Sequence, residues 1–282
     1  MPELPEVQTV VDTLRPRVVG RSLWGVVHAR ADMIDPAGFD LCKAIRRHTV
    51  SSITRRGKRI VFELHDGNRF YIHLGMSGRM SVEPRDASVE KHTHLIVRLT
   101  KTGETIRFRD PRRFGGIFWI GKESDPSEKP DKLGPEPLIV RPDVLAARLK
   151  RTRRAIKNAL LDQNLIAGLG NIYVDESLFE AKIHPLTPAN ELDDAHVRRL
   201  SRAIKLTLRR ALRHRGSTLR DYVDANGESG GFQKLHRVYG RTNEKCRSCK
   251  SPIQRIVLGG RSTHFCERCQ PRRITSSTSK VL

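Results

Sequence analysis

LLDQNLIAGLGNIYVDE, residues 160–176, decides how the second half of the chain folds. A run with helical spacing, RRAIKNALLD, stops near Asp162 or Gln163. Glycines at 168 and 170 follow, and a second run, NIYVDESLFEAK, begins at Asn171. Two helices joined by a glycine-containing turn are the shape of a DNA-binding motif. The glycines let backbone N–H groups approach a phosphate, and the positive end of the new helix favours the anion. A buried helical hairpin capped by Asn171 fits the same residues. The preceding KRTRRAIK favours contact with nucleic acid, because Arg153 and Lys157 can reach phosphates.

Working outward, DVLAARLK precedes this pair and a leucine- and alanine-rich segment at 191–214 follows it, both with helical spacing. Residues 216–235 are rich in Gly, Ser and Asp and read as a loop. Towards the N-terminus the pattern changes. Between about 22 and 120, short β-rich runs pair around turn residues: RIVFEL with RFYIHL about His65–Asn68, and HLIVRL with TIRFRD about Lys101–Glu104. Regular hairpins imply a β-sandwich or barrel. Val7, Val10, Val11 and Leu14 recur at helical spacing, with Pro5 suited to the first turn. GKESDPSEKPDKLGPEP, residues 121–137, is polar and proline-rich and reads as a linker. The expected fold is α+β in two domains, an N-terminal antiparallel β-sandwich and a C-terminal helical domain.

The 282 residues carry 53 Lys and Arg against 31 Asp and Glu, a formal net charge of +22. Such an excess, spread through folded-looking sequence, attracts a polyanion. Nucleic acid leads, with an anionic membrane surface second. No segment approaches the ~20 apolar residues of a membrane span, and no apolar leader opens the chain. The cytoplasm is the expected location.

Four of the five cysteines form two pairs, Cys246-Arg-Ser-Cys249 and Cys266-Glu-Arg-Cys269. The spacing suits a four-thiolate zinc site, with the intervening chain turning at Gly259-Gly260 as a zinc ribbon. Disulfides are the alternative, disfavoured in the cytoplasm. One structural Zn2+ is expected, since four protein ligands leave no open position. Cys42 reads as a small core residue. HLGMSGRM with Met76 and DPRRFGG with Arg112 and Phe114 each stand where a strand gives way to glycines. Met76 and Phe114 are either core residues or wedges inserted into bent DNA.

Taken in order, PELPEV, RRGK at 55–58, HLGMSG at 73–78, DPRRFGG at 110–116, DQNLIAGLGNIYVDE at 162–176 and the four-cysteine ribbon resemble the formamidopyrimidine-DNA glycosylases, bacterial enzymes that remove 8-oxoguanine. The resemblance runs from residue 2 to about 270. It implies a bifunctional glycosylase and abasic-site lyase, monomeric and associated with the bacterial nucleoid, that acts on damaged double-stranded DNA. DNA is expected between a β-sandwich and a helix-two-turns-helix domain. The implied boundaries are 1–120 for the catalytic domain, 121–140 for the linker, 141–235 for the helical domain with a lesion loop at 216–235, 236–270 for the zinc finger and 271–282 for a tail.

The resemblance implies Pro2 as nucleophile once Met1 is removed, Glu3 as general acid or base at the sugar, and Glu6 as a supporting carboxylate. It implies that Lys58 contacts phosphate and assists β-elimination, and that Arg261, at the hairpin tip, grips the lesion's phosphate and assists δ-elimination. Met76, Arg112 and Phe114 would fill the space of the flipped base. His92, Arg153, Lys157 and Asn171 would hold the DNA backbone.

The chemistry agrees. An α-amino group, with pKa about 7.7–8.0 against about 10.4 for lysine, has hundreds of times more free base near pH 7. A secondary amine attacking C1′ gives an iminium that stays cationic without a proton, which acidifies the adjacent C–H for elimination. Glu3 protonates the ring oxygen only if desolvation raises its pKa. Gln8, Thr93 and Ser77 depart from the family pattern, where acids are common, so lesion preference is open.

Overall fold

The computed structural model describes residues 1–100, 102–122 and 132–272. The chain divides into two compact units. One comprises Met1–Lys132 with Ala211–Lys234, the other Leu133–Arg210 with Leu235–Leu282.

The first unit begins with helix α1 (Leu4–Val18), whose Val7, Val10, Val11, Leu14 and Val18 are all buried. Successive turns of the helix thus place these side chains, three and four residues apart, along one stripe. Strands β1 (Leu23–Ala29) and β2 (Ile34–Asp35) and the short helix α2 (Leu41–Ile45) follow. Then come β3 (Val50–Arg56), β4 (Arg59–Leu64), β5 (Asn68–His73), β6 (Arg79–Pro84), β7 (Thr93–Leu99), β8 (Glu104–Arg109) and β9 (Gly116–Lys122). They form a four-stranded sheet ordered β1-β7-β8-β6 and a five-stranded sheet ordered β2-β9-β5-β4-β3. Both hairpins expected from the sequence form, β4 with β5 and β7 with β8. The pairing is antiparallel except where β2 runs parallel to β9. Ile60, Phe62, Phe70 and Ile72 of one sheet share a core with Leu95, Val97, Ile106 and Phe108 of the other and with the α1 stripe. Alternate residues of each strand supply that core, as a two-layer packing requires.

Cys42 is exposed, not a core residue. In the five-residue α2 the i, i+4 pair Leu41 and Ile45 takes the buried face, which turns Cys42 outward.

The second unit holds α3 (Pro142–Leu149), α4 (Ile156–Leu161), α5 (Asn171–Glu180) and most of α6 (Asp194–Arg213). It ends in the hairpin β10 (Gln254–Leu258) and β11 (Arg261–Phe265). The fold is thus α+β, sheets first and helices second. Residues 211–234 group with the sheets of the first unit, although they follow the helices in sequence. Most of the polar segment read as a linker, at 123–131, and the tail from 273 lie outside the described residues.

Candidate active site

Pro2, Glu3, Glu6 and Lys58 are all buried in the first unit. Glu3 has extended backbone as the N-cap of α1, and Glu6 Oε2 accepts its N–H at 2.8 Å, the reciprocal bond of a capping box. The other oxygen, Oε1, accepts the Ser217 N–H at 2.7 Å. One carboxylate therefore ties the start of α1 to the segment after α6. Gly216, at φ +78°, makes this approach possible, because a Cβ there would lie 2.5 Å from Glu6 Oε1. The Tyr222 hydroxyl donates to the carbonyls of Glu6 and Arg215, each at 3.2 Å. Burial and then the Glu6 charge hold that phenol above its ordinary pKa, so it stays a donor.

The α-amino group of Met1 stands one residue before the buried Pro2 and feels the same nearby charges as that end of α1. Burial pushes it below the ordinary 8.0; Lys58 and Arg112 push the same way, and Glu3 and Glu6 oppose them. The amine, both acids and both cations thus form one electrostatic cluster. Lys58 enters it from the two-residue turn between β3 and β4, where Gly57 takes φ +58°.

Two glycine loops meet beside this cluster. Asp110 is fully buried and accepts the Ser77 hydroxyl at 2.6 Å and the Gly115 N–H at 2.8 Å. A Cβ on Gly75 would lie 2.4 Å from Gly115 N, and one on Gly115 would lie 2.3 Å from the His73 carbonyl. The backbones touch, so both positions require glycine. Met76 and Phe114 emerge 45% and 57% exposed, which rules out the core reading for each. Arg112 lies over the Phe114 ring, 4.7 Å from its centroid. His92 is exposed at φ +70°, and its carbonyl oxygen accepts the Asp110 N–H at 3.0 Å.

In the second unit the hairpin tip is a two-residue turn, Gly259 at φ +56° and Gly260 at φ +73°, joining Leu258 to its partner Arg261. Positive φ at both positions is the type I′ condition that glycine meets without strain. Arg261 is exposed at the tip. Its neighbour is clamped: the Ser262 carbonyl accepts from Lys157 Nζ and from Asn171 Nδ2, each at 2.9 Å. Lys157 Nζ also meets Asp175 Oδ1 at 2.6 Å, and Asp175 Oδ2 accepts the His264 N–H at 2.9 Å.

Behind the hairpin, Cys246, Cys249, Cys266 and Cys269 bring their sulfurs within 4.8 Å of one another. A tetrahedron of thiolates about 2.3 Å from zinc has edges of about 3.8 Å, and the Cys249–Cys266 and Cys246–Cys269 separations are 3.3 and 3.9 Å. None of the pairs is a disulfide. Both cysteine turns close alike, with the Lys250 N–H on the Cys246 carbonyl and the Gln270 N–H on that of Cys266. The four thiolates fit one structural zinc.

Family comparisons follow the same layout. The Formamidopyrimidine-DNA glycosylase N-terminal domain matches residues 1–117, the Formamidopyrimidine-DNA glycosylase H2TH domain residues 133–223, and the zinc finger found in FPG and IleRS residues 243–272. Formamidopyrimidine-DNA glycosylase of Bacillus subtilis (strain 168) is 41% identical over 97% of this chain and 100% of its own. The chain belongs to the formamidopyrimidine-DNA glycosylase family. The Lactococcus lactis Fpg, solved in complex with abasic-site DNA, is 36% identical with a TM-score of 0.86, covering 96% of this chain and 100% of that one. MutM in complex with carbocyclic 8-oxo-G DNA is 37% identical with a TM-score of 0.87, at the same coverage.

Within this glycosylase framework one expected role changes. Lys157 is completely buried and its ammonium is engaged by Asp175 and Ser262, so it holds the hairpin from inside the protein and is not available to a phosphate. Asn171 and Arg153 differ: Asn171 is partly exposed at the start of α5, and Arg153 is exposed before α4. Three residues were not singled out from sequence. His73 faces Arg59 across the β4–β5 ladder, and its Nδ1 accepts the Gly75 N–H at 3.1 Å. Burial, Lys58 and Arg59 lower its pKa, so the ring is neutral and keeps an Nε2–H to donate. Asp175 and Glu176 are the other two. Glu176 accepts the N–H groups of Arg237, Val238 and Tyr239 at 2.9–3.0 Å. The VDE run in a helix otherwise buried on every side was the available sign, since acids inside a core need partners.

Proposed function

We propose that this glycosylase removes oxidised purines, 8-oxoguanine and formamidopyrimidines, from duplex DNA and then cleaves the strand at the abasic site by β,δ-elimination. The observation that carries this reading is the burial of Pro2, Glu3, Glu6 and Lys58 together at the start of the chain, where the charges of Lys58 and Arg112 also reach the first amino group.

With Met1 removed, the Pro2 nitrogen attacks C1′ as free base. Glu3, buried beside it, protonates the sugar ring oxygen as the C1′–O bond opens and the damaged base leaves with the glycosidic electron pair. The nitrogen loses its own proton and becomes the iminium. That cation draws electrons from the C2′–H bond, a base removes the proton, and the 3′ phosphate departs in β-elimination. Lys58 binds phosphate and assists this step. Arg261, fixed through Ser262, grips the lesion's phosphate and assists δ-elimination of the 5′ phosphate. Glu6 holds Glu3 and the 216–217 turn in place and does not itself react. Met76, Arg112 and Phe114 fill the space left by the flipped nucleotide, at a cost in base stacking that their own contacts offset. His92, Arg153 and Asn171 hold the DNA backbone, and the His73 Nε2–H donates to a phosphate oxygen.

Zinc bound by the four cysteines cross-links the hairpin and takes no part in the chemistry. One chain holds a complete set of reacting groups, which supports action as a monomer, and reduced cysteines suit the bacterial cytoplasm. Incubation with an 8-oxoguanine duplex and borohydride tests the reading. The expected product is a covalent adduct at Pro2. Absence of adduct from protein shown by mass to begin at Pro2 rejects it.

A further inference from the structure

Strand β1 carries a feature that the glycosylase reaction does not use. Its register on β7 pairs Leu23 with Leu99 and Gly25 with Arg98, which leaves Trp24 as an extra, unpaired residue. A second shift does the same to Val27. Such bulges re-aim side chains, and here both bulged residues turn outward, Trp24 at 52% and Val27 at 51% exposure. Trp24, Gly25, Cys42, Lys43, Arg46 and Arg98 line a cavity of about 490 Å3. A Cβ on Gly25 would meet nothing within 4 Å, so the floor beside the indole is open. The guanidinium of Arg47 lies 5.2 Å from the Trp24 ring centroid and steadies it.

The charge in the cavity is unbalanced. Lys43, Arg46 and Arg98 face one acid, Asp40, whose carboxylate caps α2 through the Lys43 N–H at 2.9 Å. Arg98 Nε is buried without a hydrogen-bond partner among the described residues. A buried donor left without an acceptor is costly; what Arg98 brings to the cavity is its charge, beside those of Lys43 and Arg46.

We propose that this cavity binds an unstacked nucleotide of single-stranded DNA, with its base on Trp24 and its phosphate on Arg98, Arg46 and Lys43. An exposed aromatic beside cations is the general platform for single strands. A peptide added to the edge of β1 is disfavoured, because two bulges within seven residues interrupt the row of donors and acceptors that such a strand needs. The site draws on β1, α2 and β7, which carry none of the groups proposed for excision, so it stands or falls apart from that activity.

The test uses the full protein with Trp119→Phe, which leaves Trp24 as its one tryptophan. Titration with an oligothymidylate of about eight residues is expected to quench the indole saturably and to slow maleimide labelling of Cys42. Arg98→Gln and Arg46→Gln should each weaken this binding about fivefold or more. Trp24→Ala, followed through Cys42 labelling, should weaken it about tenfold, and Trp24→Phe should restore most of it. Excision from a lesion duplex should be unchanged in Arg98→Gln. No quench and no protection of Cys42 would overturn the proposal. So would equal or tighter binding of an oligoglutamate peptide, which assigns the surface to an acidic protein, or of thymidine monophosphate, which assigns it to free nucleotides.

Discussion

Lys157 Nζ lies 2.6 Å from Asp175 Oδ1, and both side chains are wholly inaccessible to solvent. This pair, with the bonds from Lys157 to Ser262 and from His264 to Asp175, fastens the β10–β11 hairpin to α4 and α5. Lys157→Met strands a buried carboxylate and should cost about 3–5 kcal/mol of stability. Duplex binding should weaken through misplacement of Arg261, while the dependence of log affinity on log salt keeps its slope, since no phosphate contact is lost. A slope shallower by about one unit, with stability unchanged, would return Lys157 to the DNA surface.

Glu6 accepts two N–H groups, from Glu3 and from Ser217. An amide has one oxygen, so in Glu6→Gln one of these donors meets an NH2 group. The expected loss is about 1–3 kcal/mol, with slower excision and faster proteolysis in residues 216–231. Gly216→Ala should do the same, because its Cβ would lie 2.5 Å from Glu6 Oε1 at φ +78°. Chemical denaturation and limited proteolysis measure both.

The Met1 amino group has its pKa lowered from the ordinary 8.0, chiefly by burial. Burial disfavours the ammonium, so the reactive free base persists to lower pH than on an exposed terminus. The same burial would act on the Pro2 amine once Met1 is removed, so borohydride trapping should rise with pH and level off with a midpoint below that of an exposed N-terminal proline in a peptide. Lys58→Met removes a charge that lowers this pKa and should move the midpoint up; Glu3→Gln removes one that raises it and should move the midpoint down. Residual trapping measured across pH gives the sign in each variant.

Pro2→Gly keeps an α-amino group at the same place but makes it primary. Duplex affinity should stay near that of the parent while excision falls by at least about tenfold, since the primary amine's imine holds its positive charge only while protonated. Single-turnover excision rates decide; a parental rate in the glycine protein would show that the secondary amine is dispensable.

Removal of zinc, or Cys249→Ser, should disorder the hairpin, because the metal-bound fold supplies its own folding free energy. The sheets of the first unit have their own core and should persist. Near-native β signal in circular dichroism, with duplex affinity reduced more than about tenfold, is the expected pair of results.

Period and punctuation were legible without coordinates. The alternation in RIVFEL and RFYIHL, the helical stripe of Val7, Val10, Val11 and Leu14, the glycines at 168 and 170 and the cysteine spacing each report local geometry, which neighbouring residues decide among themselves. Hence the α+β order and the ribbon follow from the chain alone. Which polar atom meets which is a long-range matter. Nothing near Lys157 in sequence announces Asp175 as its partner, so its charge reads as a surface contact until the buried pair is seen. Cys42 turns outward because Leu41 and Ile45 claim the inner face of a helix only five residues long. Glu6 and Ser217 are joined across 211 positions, through a glycine whose need for φ +78° appears only in the folded backbone. Burial sets these last details, because a polar group removed from water must find its partner wherever the fold brings one.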